Sequence, residues 1–194
     1  MTDVKPAEVL DFWFGPPDDP GHALPREAWF RKDAAFDALV AQRFGATLEA
    51  ALRGELAGWA QRPLGALAQP IVLDQFTRNA FRGTARAFAG DARALAAAQD
   101  LVHRGLDRGF TGVQRQFTYL PFEHAEDLAM QEQSCALFLQ LGRDEPALAG
   151  LHDWALRHHA IVARFGRFPH RNAALGRSSS DEELAFLQQP GSGF

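Results

Sequence analysis

Apolar residues recur at helical spacing along nearly the whole chain. Val9, Leu10, Trp13 and Phe14 form the first stripe, and the proline-rich run "GPPDDPGHALP" closes it in a loop. Phe36, Leu39, Val40, Phe44, Leu48 and Leu52 share one face of a second helix that stops near Gly54. A third helix starts at Pro63, a favoured first position, and continues through "LGALAQPIVLDQFTRNAF". Pro70 inside it predicts a kink or a split. "DARALAAAQDLVHRGLDRG" has Asp91 as an N-cap and ends at glycine. "TGVQRQFTYLP" reads as a short helix stopped before Pro121, and "EHAEDLAMQEQSCALFLQLG" as a longer one ending at Gly142. In "PALAGLHDWALRHHAIVARF" the spacing puts Leu151, Trp154, Ala155, Val162 and Phe165 on the buried side. Ser180 and Glu183 form a capping box for a last short helix, "DEELAFLQ".

No stretch alternates with the period of a strand. Amphipathic helices joined by short connections predict an all-α fold of stacked antiparallel helices. The 194 residues suit a single all-helical domain spanning 1–194. The sequence itself carries no repeat at the ~34-residue period of tetratricopeptide units.

Charge and composition narrow the function classes. A net charge of −4 argues against general nucleic-acid binding. The single Cys135 rules out an internal disulfide and a cysteine-based zinc site. The start, "MTDVKPAEVLDFWF", lacks the pattern of a secretory leader, and no run approaches the ~20 apolar residues of a membrane span. The expectation is a cytoplasmic protein with no membrane partner and no bound cofactor. Against the acidic balance stands one basic segment. From Trp154 to Ser180 there is no Asp or Glu, while Arg157, Arg164, Arg167, Arg171 and Arg177 alternate with His158, His159 and His170.

Three constellations carry the candidate chemistry. In "LDQFTRNAFRG", Asp74, Arg78 and Arg82 stack at i, i+4 and i+8 if helical. Asp74 and Arg78 can pair, which leaves Arg82 to bind something else, with Asn79 beside it. Arginine among Phe76 and Phe81 and next to a glycine break suits a planar anion. In "YLPFEHAEDLAMQEQ", a continuous helix would bring Glu123, His124, Asp127 and Gln131 within an arc of about 100°. A histidine among carboxylates serves as a general acid or base near neutral pH. The third is "HHAIVARFGRFPHRNAALGR". Its helix ends near Gly166, Pro169 forces Phe168 out of helical geometry, and Phe165 and Phe168 anchor Arg167, His170 and Arg171. Asn172 is placed to cap the next turn. The histidine spacings match no closed metal-ligand signature, so no tightly bound transition metal is expected.

"LDQFTRNAFRG", "YLPFEHAED" and "HHAIVARFGRFPHRNAALGR" resemble a bacterial family, domain of unknown function 924. The resemblance runs from "VLDFWFG" to "EELAFL", and the last motif is the most specific. It implies a tetratricopeptide-like helical bundle. It implies no particular activity, substrate or catalytic residue. Three departures bear on the site. His159 rather than His158 matches the family histidine, Ala125 stands where serine is common, and Pro70 stands where an aliphatic residue is usual.

These readings converge on a pocket for a small anion, a carboxylate or phosphate ester. Its binding residues are Asp74, Arg78, Asn79, Arg82, Tyr119, Arg167, Arg171 and Asn172. Its acid–base residues are His124, His159 and His170, with Glu126 and Asp127 setting their protonation. The alternatives are a helical scaffold that holds an acidic peptide or a carboxylate terminus, and a purely architectural ionic network.

Overall fold

The computed structural model describes residues 3–193, and all regular structure among them is helical. Contacts group into two compact units: Met1–Arg82 with Arg86–Pro121, and Gly83–Ala85 with Phe122–Phe194.

The first unit contains α1 (Pro6–Phe14), α2 (Ala34–Leu52), α3 (Pro63–Pro70), α4 (Thr77–Ala80) and α5 (Asp91–His103). It also holds most of α6 (Gly112–Glu123). Its core is aromatic. Trp13 meets Phe76 edge-on at 5.5 Å and Phe117 at 5.4 Å, and Phe44 lies 4.6 Å from Phe76. The four residues of the first predicted stripe are all buried, whereas Leu39 of the second is exposed.

Pro70 divides the third helix without interrupting its helical path. It ends α3, and a six-residue π-helical stretch, Ile71–Phe76, carries the chain on into α4. Proline removes one backbone donor and crowds the preceding carbonyl, and widening the turn accommodates both. Asp91 is not an N-cap either. Gly90 holds that position and Asp91 is the first helical residue. A Cβ on Gly90 would collide with the carbonyl oxygen of Leu73. Glycine there lets the start of α5 press against the π-helical stretch, and the Asp91 carboxylate is thereby delivered to Arg78.

The second unit contains α7 (Leu128–Asp144), α8 (Leu151–Phe165) and α9 (Asp181–Leu187). α7 and α8 pack as a helical hairpin across a short link. Ile161, Val162 and Phe168 form a small core that Phe165 and Phe186 border. Two boundaries differ from the sequence expectation. α6 runs through Pro121 to Glu123, and the chain then breaks over His124–Asp127 before α7. The cause is Asp127, which adopts extended geometry and accepts the Met130 amide as N-cap of α7. The long helix foreseen from Glu123 therefore starts only at Leu128, and Glu123 closes α6 instead. In α8 the buried stripe is Ala155, His158, Ile161 and Val162, while Trp154 is 48% exposed.

Candidate functional site

The polar residues of the first unit are committed to its own carboxylates. Arg78 meets Asp74 at 2.8 Å and takes Asp91 through both terminal nitrogens, at 2.9 and 3.1 Å. The Asp74 side chain is almost completely buried, so this pair is part of the packing. Arg82 grips Asp37 through two bonds, at 2.6 and 2.8 Å, and Asn79 donates to the same carboxylate at 2.7 Å. Tyr119, 1% exposed, donates its hydroxyl to Asp107 at 2.6 Å and accepts from Arg115 at 3.1 Å. Burial first, and then the Asp107 bond, raise its hydroxyl pKa above the ordinary phenol value. Two cavities in this unit hold none of the predicted site residues. One, of about 190 Å³, lies beside Ala51, Gly54, Leu56 and Arg93. The other, of about 490 Å³, lies beside Phe12, Pro16, Leu24 and Arg26.

In the second unit the basic segment is built as the sequence suggests as far as Phe168. Gly166 ends α8 in left-handed conformation, φ +68°, and its amide closes on Val162 at 2.8 Å. Phe168 is extended and completely buried, and Pro169–Arg171 makes one 3₁₀ turn. The arginines then divide. Arg164 pairs with Glu182 near the surface. Arg167 takes both oxygens of Glu183, at 2.7 and 2.8 Å, and Arg177 takes both of Glu126, at 2.5 and 2.8 Å. Glu126 also accepts the Phe168 amide at 2.8 Å. Burial works to raise the Glu126 pKa, but the Arg177 bonds and the Phe168 amide outweigh it and hold it below the ordinary carboxylate value. Asn172 does not open a new turn; it follows Pro169–Arg171 as its C-cap. It donates to Ser179 and accepts from Arg177, each at 3.0 Å, and so ties the segment into a loop.

Arg171 is more deeply buried than Arg164, Arg167 and Arg177. It is 5% exposed, and its guanidinium lies over the Phe168 ring, 4.5 Å from the centroid. His158 and His170 flank the same ring, each 5.6 Å away, and His124 lies 6.1 Å from His158. Glu123 is 3% exposed and His158 is 4% exposed. The Nδ1 of His158 lies 2.9 Å from the Trp154 carbonyl and 3.2 Å from Glu123 Oε1. Burial, and then the neighbouring His124, push the His158 pKa down to about 3. The Trp154 carbonyl accepts from Nδ1, and Glu123 Oε1 lies alongside.

The chain matches the family model described as "Bacterial protein of unknown function (DUF924)" over residues 9–191. It belongs to that family. The DUF924 chain is also similar to a solved structure, the protein of unknown function ATU0120 from Agrobacterium tumefaciens. Identity is 42%, the TM-score is 0.81, and the match covers 94% of this chain and 96% of the other. No curated protein matches it.

Against the predicted set, the structure groups His124, His170 and Arg171 in one cluster of the second unit. Arg78, Asn79, Arg82 and Tyr119 lie in ion-pair and hydrogen-bond networks of the first. Asp127 is exposed and caps a helix, and Glu126 anchors Arg177. His159 is half-buried, and it is the adjacent His158 that meets Glu123. The signal for His158 was present in the sequence. It lies three residues after Ala155 and four before Val162, on the apolar stripe of α8, and a polar residue on a buried stripe needs partners. Glu123 was singled out beside His124 but not as a partner of His158, because that contact joins α6 to α8 and no spacing along the chain shows it.

Proposed function

We propose that this DUF924 protein binds a small anion, a carboxylate or phosphate ester, at Arg171, with His124, His158 and His170 around it. The observation that carries the reading is the convergence on Phe168. One buried guanidinium and two imidazoles surround a single fully buried ring. A guanidinium held this way presents a rigid, weakly hydrated fork, which suits a planar or tetrahedral oxyanion. Arg167 and Arg177 of the same segment pair with Glu183 and Glu126 and shape the loop around it. The imidazoles and Glu123 are the groups a bound ligand would meet. The hairpin of α7 and α8 supports a tetratricopeptide-like framework, and the lone thiol of Cys135 is in keeping with a cytoplasmic setting.

The test is a melting series in phosphate and citrate. An anion at 100 times its dissociation constant should stabilise the parent protein by about 2.7 kcal/mol. Arg171→Lys, which keeps the charge and loses the fork, should lose most of that response, and Arg164→Ala should keep it. A parent protein that responds to neither anion would sink the proposal.

A further inference from the structure

We propose that Glu123, His124 and His158 hold a divalent transition-metal ion. Each offers one ligand atom, and these atoms all lie within 4.8 Å of one another. An ion bound at ~2.1 Å by tetrahedral ligands would hold them roughly 3.4 Å apart, so small side-chain rotations close the set. Two imidazoles and one carboxylate are the donor types of catalytic zinc sites and of iron and manganese centres, and three protein ligands leave coordination positions open.

The surroundings support the assignment. Metal-binding histidines are ordinarily oriented by giving the other ring N–H to a carbonyl or carboxylate. The His158 Nδ1 does so toward the Trp154 carbonyl, with Glu123 alongside, and in that tautomer the ring lone pair is on Nε2. Glu123 and His158 are buried and His124 is half-buried, so the set is shielded on one side and approachable at His124. The ligands on the α6 side are also held in place. Gln131, completely buried on α7, donates to the carbonyls of Glu123 at 2.6 Å and Ala125 at 2.7 Å, which bracket His124. The other end of that amide, Oε1, is buried and takes part in no hydrogen bond among the described residues. A buried acceptor in that state, on the side chain that holds the backbone on either side of His124, suits a donor brought by a metal-bound water or ligand.

The sequence spacing argued against a metal because no closed ligand set is visible along the chain. The third ligand comes from α8, and only the tertiary structure brings it to the other two. The inference stands on this ligand set and not on anion binding at Arg171.

The test uses the full chain, stripped with a chelator and dialysed against Zn²⁺, Mn²⁺ or Co²⁺ in a buffer free of phosphate and citrate. The parent protein should retain about one equivalent of at least one metal. Glu123→Gln and His158→Asn should each weaken retention by roughly tenfold or more, while His159→Asn should not change it. Co²⁺ bound to the parent should also give the visible absorption of a low-coordinate nitrogen and oxygen site, a readout that needs no variant to fold. No retention by the parent, or retention equal in all three variants, overturns the proposal. The anion melting series, run in chelator, reports separately on Arg171.

Discussion

At the residue scale, the cost of removing an arginine depends on how deeply its carboxylate is buried. Arg78 neutralises Asp74, whose side chain is about 1% exposed, and Arg78→Ala would leave that charge in the core. We expect a loss of roughly 3–5 kcal/mol, the range for breaking a buried pair from one side. Arg82→Ala leaves Asp37 near the surface with Asn79 still donating, and should cost about 1 kcal/mol or less. Urea unfolding of both variants checks the order. Equal small losses would mean that Arg78 is not part of the packing. Arg177 falls between them, because Glu126 is partly buried and keeps the Phe168 amide. Arg177→Ala should cost about 2 kcal/mol, with the damage confined to the loop that carries His170 and Arg171.

At the element scale, the decisive feature is the break between α6 and α7. Asp127 makes it by accepting the Met130 amide as N-cap. Asp127→Asn keeps an acceptor and should cost only a few tenths of a kcal/mol, whereas Asp127→Ala should cost about 1 kcal/mol. If Asp127→Asn is as damaging as Asp127→Ala, the carboxylate has a role beyond capping. The break also turns His124 out of a regular helix, so a weakened cap should loosen His124 as well. Hydrogen exchange over residues 123–131 in Asp127→Ala measures this, and faster exchange there than elsewhere in α7 is the expected outcome. α9 shows a second coupling of element to site. Its capping-box residue Glu183 is also the carboxylate that Arg167 holds, so one side chain starts the helix and fixes the basic segment.

At the scale of the whole molecule, the ion pairs make stability depend on acid pH. Arg82 lowers the pKa of Asp37, and the Arg177 bonds prevail over burial at Glu126. Arg167, and then the Ser180 amide, bring Glu183 to about 2. A carboxylate with a lowered folded pKa binds fewer protons folded than unfolded, so its contribution is complete above the unfolded value. It is lost as pH falls through the folded value. For Glu183 that window runs from its ordinary 4.5 down to about 2. Stability should be level near neutrality and fall steadily below pH ~5. Glu183→Gln should be less stable than the parent at pH 7, and the gap should narrow as pH approaches 2. A gap that stays constant across the range would show that the Arg167 pair contributes nothing through charge.

The sequence alone determined the helices, because their apolar stripes, prolines, glycines and caps are local signals. Trp13, Phe14, Phe44 and Leu48 are buried where periodicity put them, and the Ser180–Glu183 box starts α9 as read. Side-chain partners were not legible in the same way. Charge spacing along one helix found the Asp74–Arg78 pair. It could not find Asp37 for Arg82, Glu126 for Arg177 or Glu183 for Arg167, since each partner comes from another element. The three motifs were read as one pocket because all are rich in arginine and aromatics, and composition does not distinguish a guanidinium that binds a ligand from one that holds a loop. Tertiary structure shows which of them hold carboxylates of other elements. It also put His158, and not His159, against Glu123, since the hundred degrees of rotation between adjacent helical residues separates a half-buried ring from a buried one. It also set Glu123 and His124, at the end of one helix, against a histidine on another, because contact between distant segments depends on how helices pack and not on the order of residues in either.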